Sequence, residues 1–270
     1  MFIKTMETKI MAVLYGCLLL SLTACSLNDR SARPSWESGV LRVGITPNYP
    51  CLIDKAAGTG LICGFEAECA ALLAERLHSK LQFVELTWEE QIPALERKEV
   101  DIIMSAMSIT EMRKFQVAFS KPYLTISQMA LTTKAREAEY LSTQDILATG
   151  KAIGVEKGTT GDIFVQRYCP AAEPFFFSSP DAAVQALRDK RIDLFIHDGP
   201  VLGSYVAANG ADGLVLLQTP LTNEELAWAV RLDDPALLKK VNSALDSWKD
   251  DGTLQGLLKK WLPQGAAGPL

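Results

Sequence analysis

Very short, almost uninterrupted apolar runs recur along this chain, and each is set off by a stretch with helical spacing: residues 101–104, 152–155 and 194–196 are the clearest. Runs of this length cannot make a helix, and they are too apolar to leave one face in water, so they predict strands buried on both sides. Strands of that kind alternating with helices form mostly parallel sheets flanked by helices. The fold class is therefore α/β, and a ligand is expected outside the carboxyl ends of the strands. Further strands are expected at 40–45, 81–86 and 175–177. Helices are expected at 66–78, where Ala67, Ala70, Ala71, Ala74 and Leu77 make a small-residue face, and at 88–97, where Pro93 must fall in the first turns. Others are expected at 160–167 and from Ser179-Pro180-Asp181, a capping serine followed by a first-turn proline. The strands fall into two series, one before Tyr123 and one from Lys151 to Leu217, and the tail 226–261 adds a strand and two helices.

With 270 residues, 48% of them apolar, the chain is long enough for two cores. Its formal charge is -5 and its basic residues are scattered, so no nucleic-acid-binding stripe is present. His78 and His197 lie far apart and join no ligand-spaced Cys/His cluster, which argues against a metal site. No cofactor motif is present either.

The N-terminus is an address. Lys4 and Lys9 precede an apolar run at 10–20, too short for a membrane span of roughly 20 residues. The run leads into Leu22-Thr23-Ala24-Cys25, which resembles the bacterial lipoprotein cleavage site, with Cys25 as the lipidated first residue. Residues 1–24 are then a signal peptide and 25–38 a polar tether. A multi-chain lipid on Cys25 would hold the body at a membrane, facing the periplasm or the exterior. Loss of Lys4, Lys9 and Glu7 removes one net positive charge and leaves -6. Export permits disulfides. Cys51 and Cys63 flank a Gly- and Ala-containing stretch (54–60) that predicts a hairpin, so they are expected to be bonded, with two free thiols as the alternative. Such a loop closure would contribute about 3 kcal/mol. Cys69 and Cys169 are left unpaired.

The run DIIMSAMSITEMR (101–113) followed by FSKPY (119–123) resembles the signature of the bacterial extracellular solute-binding proteins, family 3, the amino-acid-binding components of ABC importers. GITPNYP (44–50), GFEAE (64–68), WEEQIPAL (88–95), GVEKGTT (154–160), DLFIHD (193–198) and DGTLQGLLKKW (251–261) agree with it in order. The resemblance implies a two-lobed periplasmic-binding-protein-like (type II) fold with two hinge strands, closing on a ligand held between the lobes. It divides the body into lobe one (39–124 and 224–262), lobe two (125–223) and a tail (263–270), with crossings near 123–127 and 222–226. The protein would be a monomer whose partners are a small amino acid, an ABC permease and, through Cys25, a membrane.

An amino acid brings a carboxylate and an ammonium, and a closed cleft must supply a countercharge for each. The resemblance assigns the carboxylate to Arg113, with Ser108, Thr159 and Thr160 as donors, and the ammonium to Asp198 with the carbonyl of Ala106. Tyr49 and Trp88 match positions where rings flank the ligand side chain. Two departures matter. Thr46 stands where binders of basic or amide side chains often carry aspartate, and Gly161 stands where binders of basic residues often carry glutamine. Both point away from lysine, arginine or histidine and toward a polar or uncharged ligand. No Ser/His/Asp set is present and no catalytic residue is assigned. The same scaffold hosts cyclohexadienyl (prephenate/arogenate) dehydratases, for which Glu156 would be the candidate acid. The segment 226–238 is also similar to the binding-protein-like part of membrane-bound lytic transglycosylases, without the catalytic domain those enzymes append.

Overall fold

The computed structural model describes residues 34–208 and 213–262. The expected signal segment, Cys25 and the tail 263–270 lie outside the described residues. Ser35–Ser38, expected to be tether, is a 3-10 turn whose Trp36 is buried and donates from Nε1 to Asp234 at 3.0 Å. The folded body therefore already includes Ser35.

Strands are numbered in chain order: β1 (Val40–Ile45), β2 (Asp54–Lys55), β3 (Ile62–Cys63), β4 (Lys80–Glu85), β5 (Ile102–Ile103), β6 (Val117–Phe119) and β7 (Leu124–Ile126). They continue as β8 (Gln128–Thr133), β9 (Ala152–Glu156), β10 (Glu173–Phe177), β11 (Leu194–Asp198), β12 (Leu214–Leu217), β13 (Glu224–Leu226) and β14 (Ala229–Arg231). The first sheet has the order β4-β1-β5-β14-β6, with β1 parallel to β4 and β5 and with β14 running antiparallel between β5 and β6. The second has the order β10-β9-β11-β8-β12, with β9 parallel to β10 and β11 and with β8 antiparallel to β11 and β12. The chain passes from the first sheet to the second through β7 and returns through β13, and these two strands pair antiparallel with each other.

The central strands are as dry as the apolar runs demand: every residue of β5 and β11 is buried. Asp101, expected at the head of β5, instead turns its buried carboxylate to Arg42, with Nη2 to Oδ1 at 2.9 Å. The region 88–97 divides into a 3-10 turn, Trp88–Glu90, and the helix Gln91–Glu96, which places Pro93 third in the helix, where its missing N–H costs nothing. Ser179 caps the helix Pro180–Arg188 by accepting from Ala182 N–H. The first sheet's core includes a stack of Phe65, Tyr123 and Trp228 rings with centroids 5.3 Å and 5.2 Å apart.

The expected Cys51–Cys63 bond is not formed, and both cysteines are free thiols. The hairpin exists as β2 and β3, but its register sets Cys63 opposite Asp54. Cys51 lies three residues earlier, in a left-handed turn at φ 70°.

Candidate ligand-binding cleft

The loop after β5 reaches Ala106, whose backbone is left-handed at φ 53°. A side chain there is strained in that conformation and needs an external hold. Glu66, wholly buried in the helix Phe65–Arg76, supplies it by accepting from Ala106 N–H at 2.7 Å on Oε2. Its Oε1 accepts from the Tyr123 hydroxyl and from Trp228 Nε1 at 3.1 Å. Tyr123 precedes β7 and Trp228 follows β13, so one carboxyl joins both crossing strands to the Ala106 turn. Burial pushes the Glu66 pKa up to about 7, with the three donors pulling the other way.

Two residues further on, Ser108 bridges to Leu226, and its hydroxyl donates to Glu224 at 2.6 Å. Thr110 then caps the short helix Glu111–Lys114 by accepting from Arg113 N–H at 3.2 Å. That cap aims the Arg113 side chain inward, where it is 8% exposed. Its Nη1 donates to Ser108 O at 2.9 Å and its Nη2 to Gly158 O at 3.3 Å, and the guanidinium lies 5.0 Å from the Trp88 ring centroid. Burial lowers the Arg113 pKa, while Tyr49, Glu224 and Asp198 oppose the shift.

From the second sheet, the turn after β9 brings Gly158, at φ 74°, against the Trp88 ring. Thr159 caps the helix Thr160–Tyr168, accepting from Asp162 N–H and donating its hydroxyl to Glu156 O at 2.7 Å. Its own amide also goes to Glu156 O, so both groups expected at the ligand serve the turn. Thr160 Oγ1 accepts from Gln128 Nε2 at 3.1 Å, and the same amide nitrogen donates to Asp198 Oδ1. Gln128 and Asp198 are direct register partners across β8 and β11. A Cβ at Gly161 would come within 2.9 Å of Gln128 Oε1 and 3.0 Å of the Ile196 carbonyl oxygen, so glycine here leaves room for the Gln128 side chain and the end of β11.

Asp198 is buried at the end of β11, and that burial pushes its pKa up to about 6 against the pull of His197. Its own N–H donates to His197 Nδ1 at 2.7 Å, which assigns the ring proton to Nε2, 3.0 Å from Glu156 Oε2. Burial opposes the imidazolium, but Glu156 and Asp198 prevail and the His197 pKa is raised. Tyr49 completes the group, donating its hydroxyl to Glu156 Oε2 at 3.2 Å. Its pKa lies well above the usual phenol value, first through burial and then through Glu156 and Asp198. The Tyr49 and Trp88 ring centroids are 6.4 Å apart at 31°. A planar group held between them would need about 7 Å, two carbon contact distances, so its entry calls for a small parting of the rings.

Arg113 and Asp198 thus arrive from different sheets and act on the same phenol. Trp88 Nε1 donates to Gly158 O at 3.0 Å and Lys157 pairs with Glu89 at 3.0 Å, so the cleft is drawn shut across its mouth. Two hollows meet at Trp88: one of about 320 Å³ is lined by Arg113, Met107 and Gly158, and one of about 280 Å³ by Glu156, Thr87 and Phe177. Among the described residues no cluster of His, Cys, Asp and Glu is arranged to hold a metal, and no helix is long and apolar enough to cross a membrane.

Sequence reasoning missed Gln128, the pairing of Glu156 with Tyr49 and His197, and the linking role of Glu66. Glu66 stood in the quoted GFEAE motif, so a signal was present; Gln128 lay in a segment carrying none.

Two α/β sheets joined by a paired two-strand crossing, with hollows between residues of the two at Trp88, define the type II periplasmic-binding-protein architecture. The model for bacterial extracellular solute-binding proteins, family 3, matches residues 41–264, and the chain belongs to that family. Among curated relatives, a probable histidine-binding protein of Neisseria gonorrhoeae is 29% identical over 94% of this chain and 95% of its own length. The ABC transporter arginine-binding protein 1 of Escherichia coli is 30% identical over 83% of this chain and 91% of its own. Among solved structures, an ancestral amino-acid-binding protein, a precursor of cyclohexadienyl dehydratase, superposes with a TM-score of 0.78 at 35% identity, covering 84% of this chain and 97% of that one. An ancestral arginine-binding protein bound to arginine gives 0.78 at 32% identity, covering 83% and 97%.

Proposed function

We propose that this chain is the extracytoplasmic amino-acid-binding component of an ABC importer, holding its ligand in the cleft and handing it to a membrane permease without covalent chemistry. Arg113 pairs with the ligand carboxylate, helped by Ser108 and Thr160. Asp198 pairs with the ammonium, helped by the Ala106 carbonyl, and Tyr49 and Trp88 flank the side chain. Thr159 contributes by shaping the turn that presents Gly158 and Thr160. The observation that carries the reading is the buried Arg113, which already spans the cleft to Gly158 O and shares the Tyr49 surroundings with buried Asp198. Removal from water of a zwitterion costs several kcal/mol for each unpaired charge, and these two groups answer that cost from opposite sheets. In this proposal Cys25 carries the lipid anchor and the protein acts as a monomer at the periplasmic or outer face of a membrane.

The buried Glu156–His197 pair favours one second reading, a dehydratase with Glu156 as the acid. A thermal-shift screen against the twenty amino acids, with prephenate and arogenate assayed for turnover, separates the two. Stabilisation by an amino acid without turnover is expected, and release of phenylpyruvate or phenylalanine would overturn it. Arg113→Ala and Asp198→Ala are each expected to weaken binding at least about a hundredfold, the cost of leaving one buried charge unpaired, with the fold retained. Undiminished affinity in either variant removes that residue from the site.

A further inference from the structure

Glu156 closes β9 and is 2% exposed. Its two carboxyl oxygens are treated very differently by the protein. Oε2 faces two donors, the Tyr49 hydroxyl at 3.2 Å and His197 Nε2 at 3.0 Å, whereas Oε1 is buried and accepts no hydrogen bond. A buried carboxyl oxygen without a donor is costly to keep, and here it belongs to a residue lining a hollow beside Trp88.

The charges around the cleft are also unequal. Glu156, Asp198 and Glu224 bring three carboxyls against the guanidinium of Arg113, with His197 able to offset one of them; Lys157 and Glu89, which line the same hollow as Glu156, pair with each other at 3.0 Å and cancel. A zwitterion adds one charge of each sign and leaves the excess unchanged. Glu224 is served by the Ser108 and Thr222 hydroxyls, one on each oxygen. Glu156 Oε1 has no such partner, so the outstanding demand for positive charge falls there. Thr46, which replaces an expected acid on the first sheet, does not empty the cleft of acid, because Glu156 brings one from the second.

We propose that Glu156 is the specificity-determining residue of the cleft, its Oε1 receiving an N–H donor from a cationic ligand side chain that lies against the Tyr49 and Trp88 rings. This rests on the amino-acid-binding reading above. The choice of a cation over a neutral amide follows from the charge count, and the adjacent aromatic faces favour the same sign.

The test is titration calorimetry of the full chain and of Glu156→Gln with arginine, lysine, histidine, glutamine and serine. The wild type is expected to bind at least one of the three cationic amino acids about tenfold or more tightly than glutamine, the scale of one charge-assisted hydrogen bond. Glu156→Gln is expected to lower the ratio of cationic-amino-acid affinity to glutamine affinity by about tenfold, whatever it does to the affinity for each ligand taken alone. A cation advantage that survives the substitution overturns the assignment of Glu156 and leaves the amino-acid reading intact. Failure of every amino acid to bind the wild type overturns both. Should the variant not fold by circular dichroism, competition on the wild type decides: glutamine or serine displacing arginine, lysine and histidine at equal concentration overturns the proposal.

Discussion

Replacing Glu66 by glutamine tests whether the junction of hinge and binding loop is as the structure draws it. Oε1 of Glu66 accepts from Tyr123 and Trp228, and a glutamine oxygen can do the same; Oε2 accepts from Ala106 N–H, where glutamine would present an NH₂ instead. One buried donor is thereby orphaned, at a cost of about 1–3 kcal/mol. The second signature lies in the pH dependence. Burial raises the Glu66 pKa from 4.5 to about 7, so the folded wild type holds a proton through a range where the unfolded chain has released it. Its contribution is fully present below pH 4.5 and is lost as pH rises through about 7, a total of about 3 kcal/mol. Glutamine does not titrate. The gap in unfolding free energy between wild type and Glu66→Gln should therefore shrink by about 3 kcal/mol between pH 4.5 and 8. Urea unfolding of both proteins across that range measures it, and subtraction removes the titration of every other group. A gap that stays constant with pH, or a variant as stable as wild type at pH 5, would show that Glu66 is not the buried three-donor hub described.

Asp198 has its pKa raised to about 6, so the countercharge proposed for the ligand ammonium disappears as pH falls through that value. Affinity should drop by about tenfold per pH unit below about 6, as read by calorimetry; a flat Kd from pH 7.5 to 5 would remove Asp198 from that role. At the start of the body, Trp36 is buried and bonded to Asp234 at 3.0 Å. Trp36→Ala should cost about 3–5 kcal/mol in urea unfolding, and a loss under about 1 kcal/mol, the range of surface changes, would show that the tether is not part of the fold.

Much of the architecture was legible because burial on both faces leaves a compositional mark. The strand expected at 40–45 is Val40–Ile45 without adjustment, and the apolar core of 194–196 extends only to Asp198. Strand β8 left no such mark. Its sequence, Gln128–Thr133, carries glutamine and threonine among its apolar residues, and its identity as a strand depends on pairing with β11 and β12. The cleft followed the same logic. Arg113 and Asp198 could be singled out as candidates because each stands in a recognisable local motif. The environment of Glu156 could not, since its partners Tyr49 and His197 come from 107 and 41 residues away. The thiol pair shows the converse error. Spacing identified a hairpin correctly, but register, which spacing does not contain, put Asp54 rather than Cys51 across from Cys63.

The position of β14 has a consequence for how the molecule is born. This strand, Ala229–Arg231, sits inside the first sheet between β5 and β6, although both of its neighbours are synthesised more than a hundred residues earlier. Until it arrives, β5 and β6 have no bridge between them, and the nascent sheet keeps two raw edges open to wrong partners. All five strands of the second sheet, by contrast, lie within Gln128–Leu217 and are complete before β14 emerges. A chain ending short of Ala229 would carry every strand of the second sheet and lack the strand that joins β5 to β6 in the first.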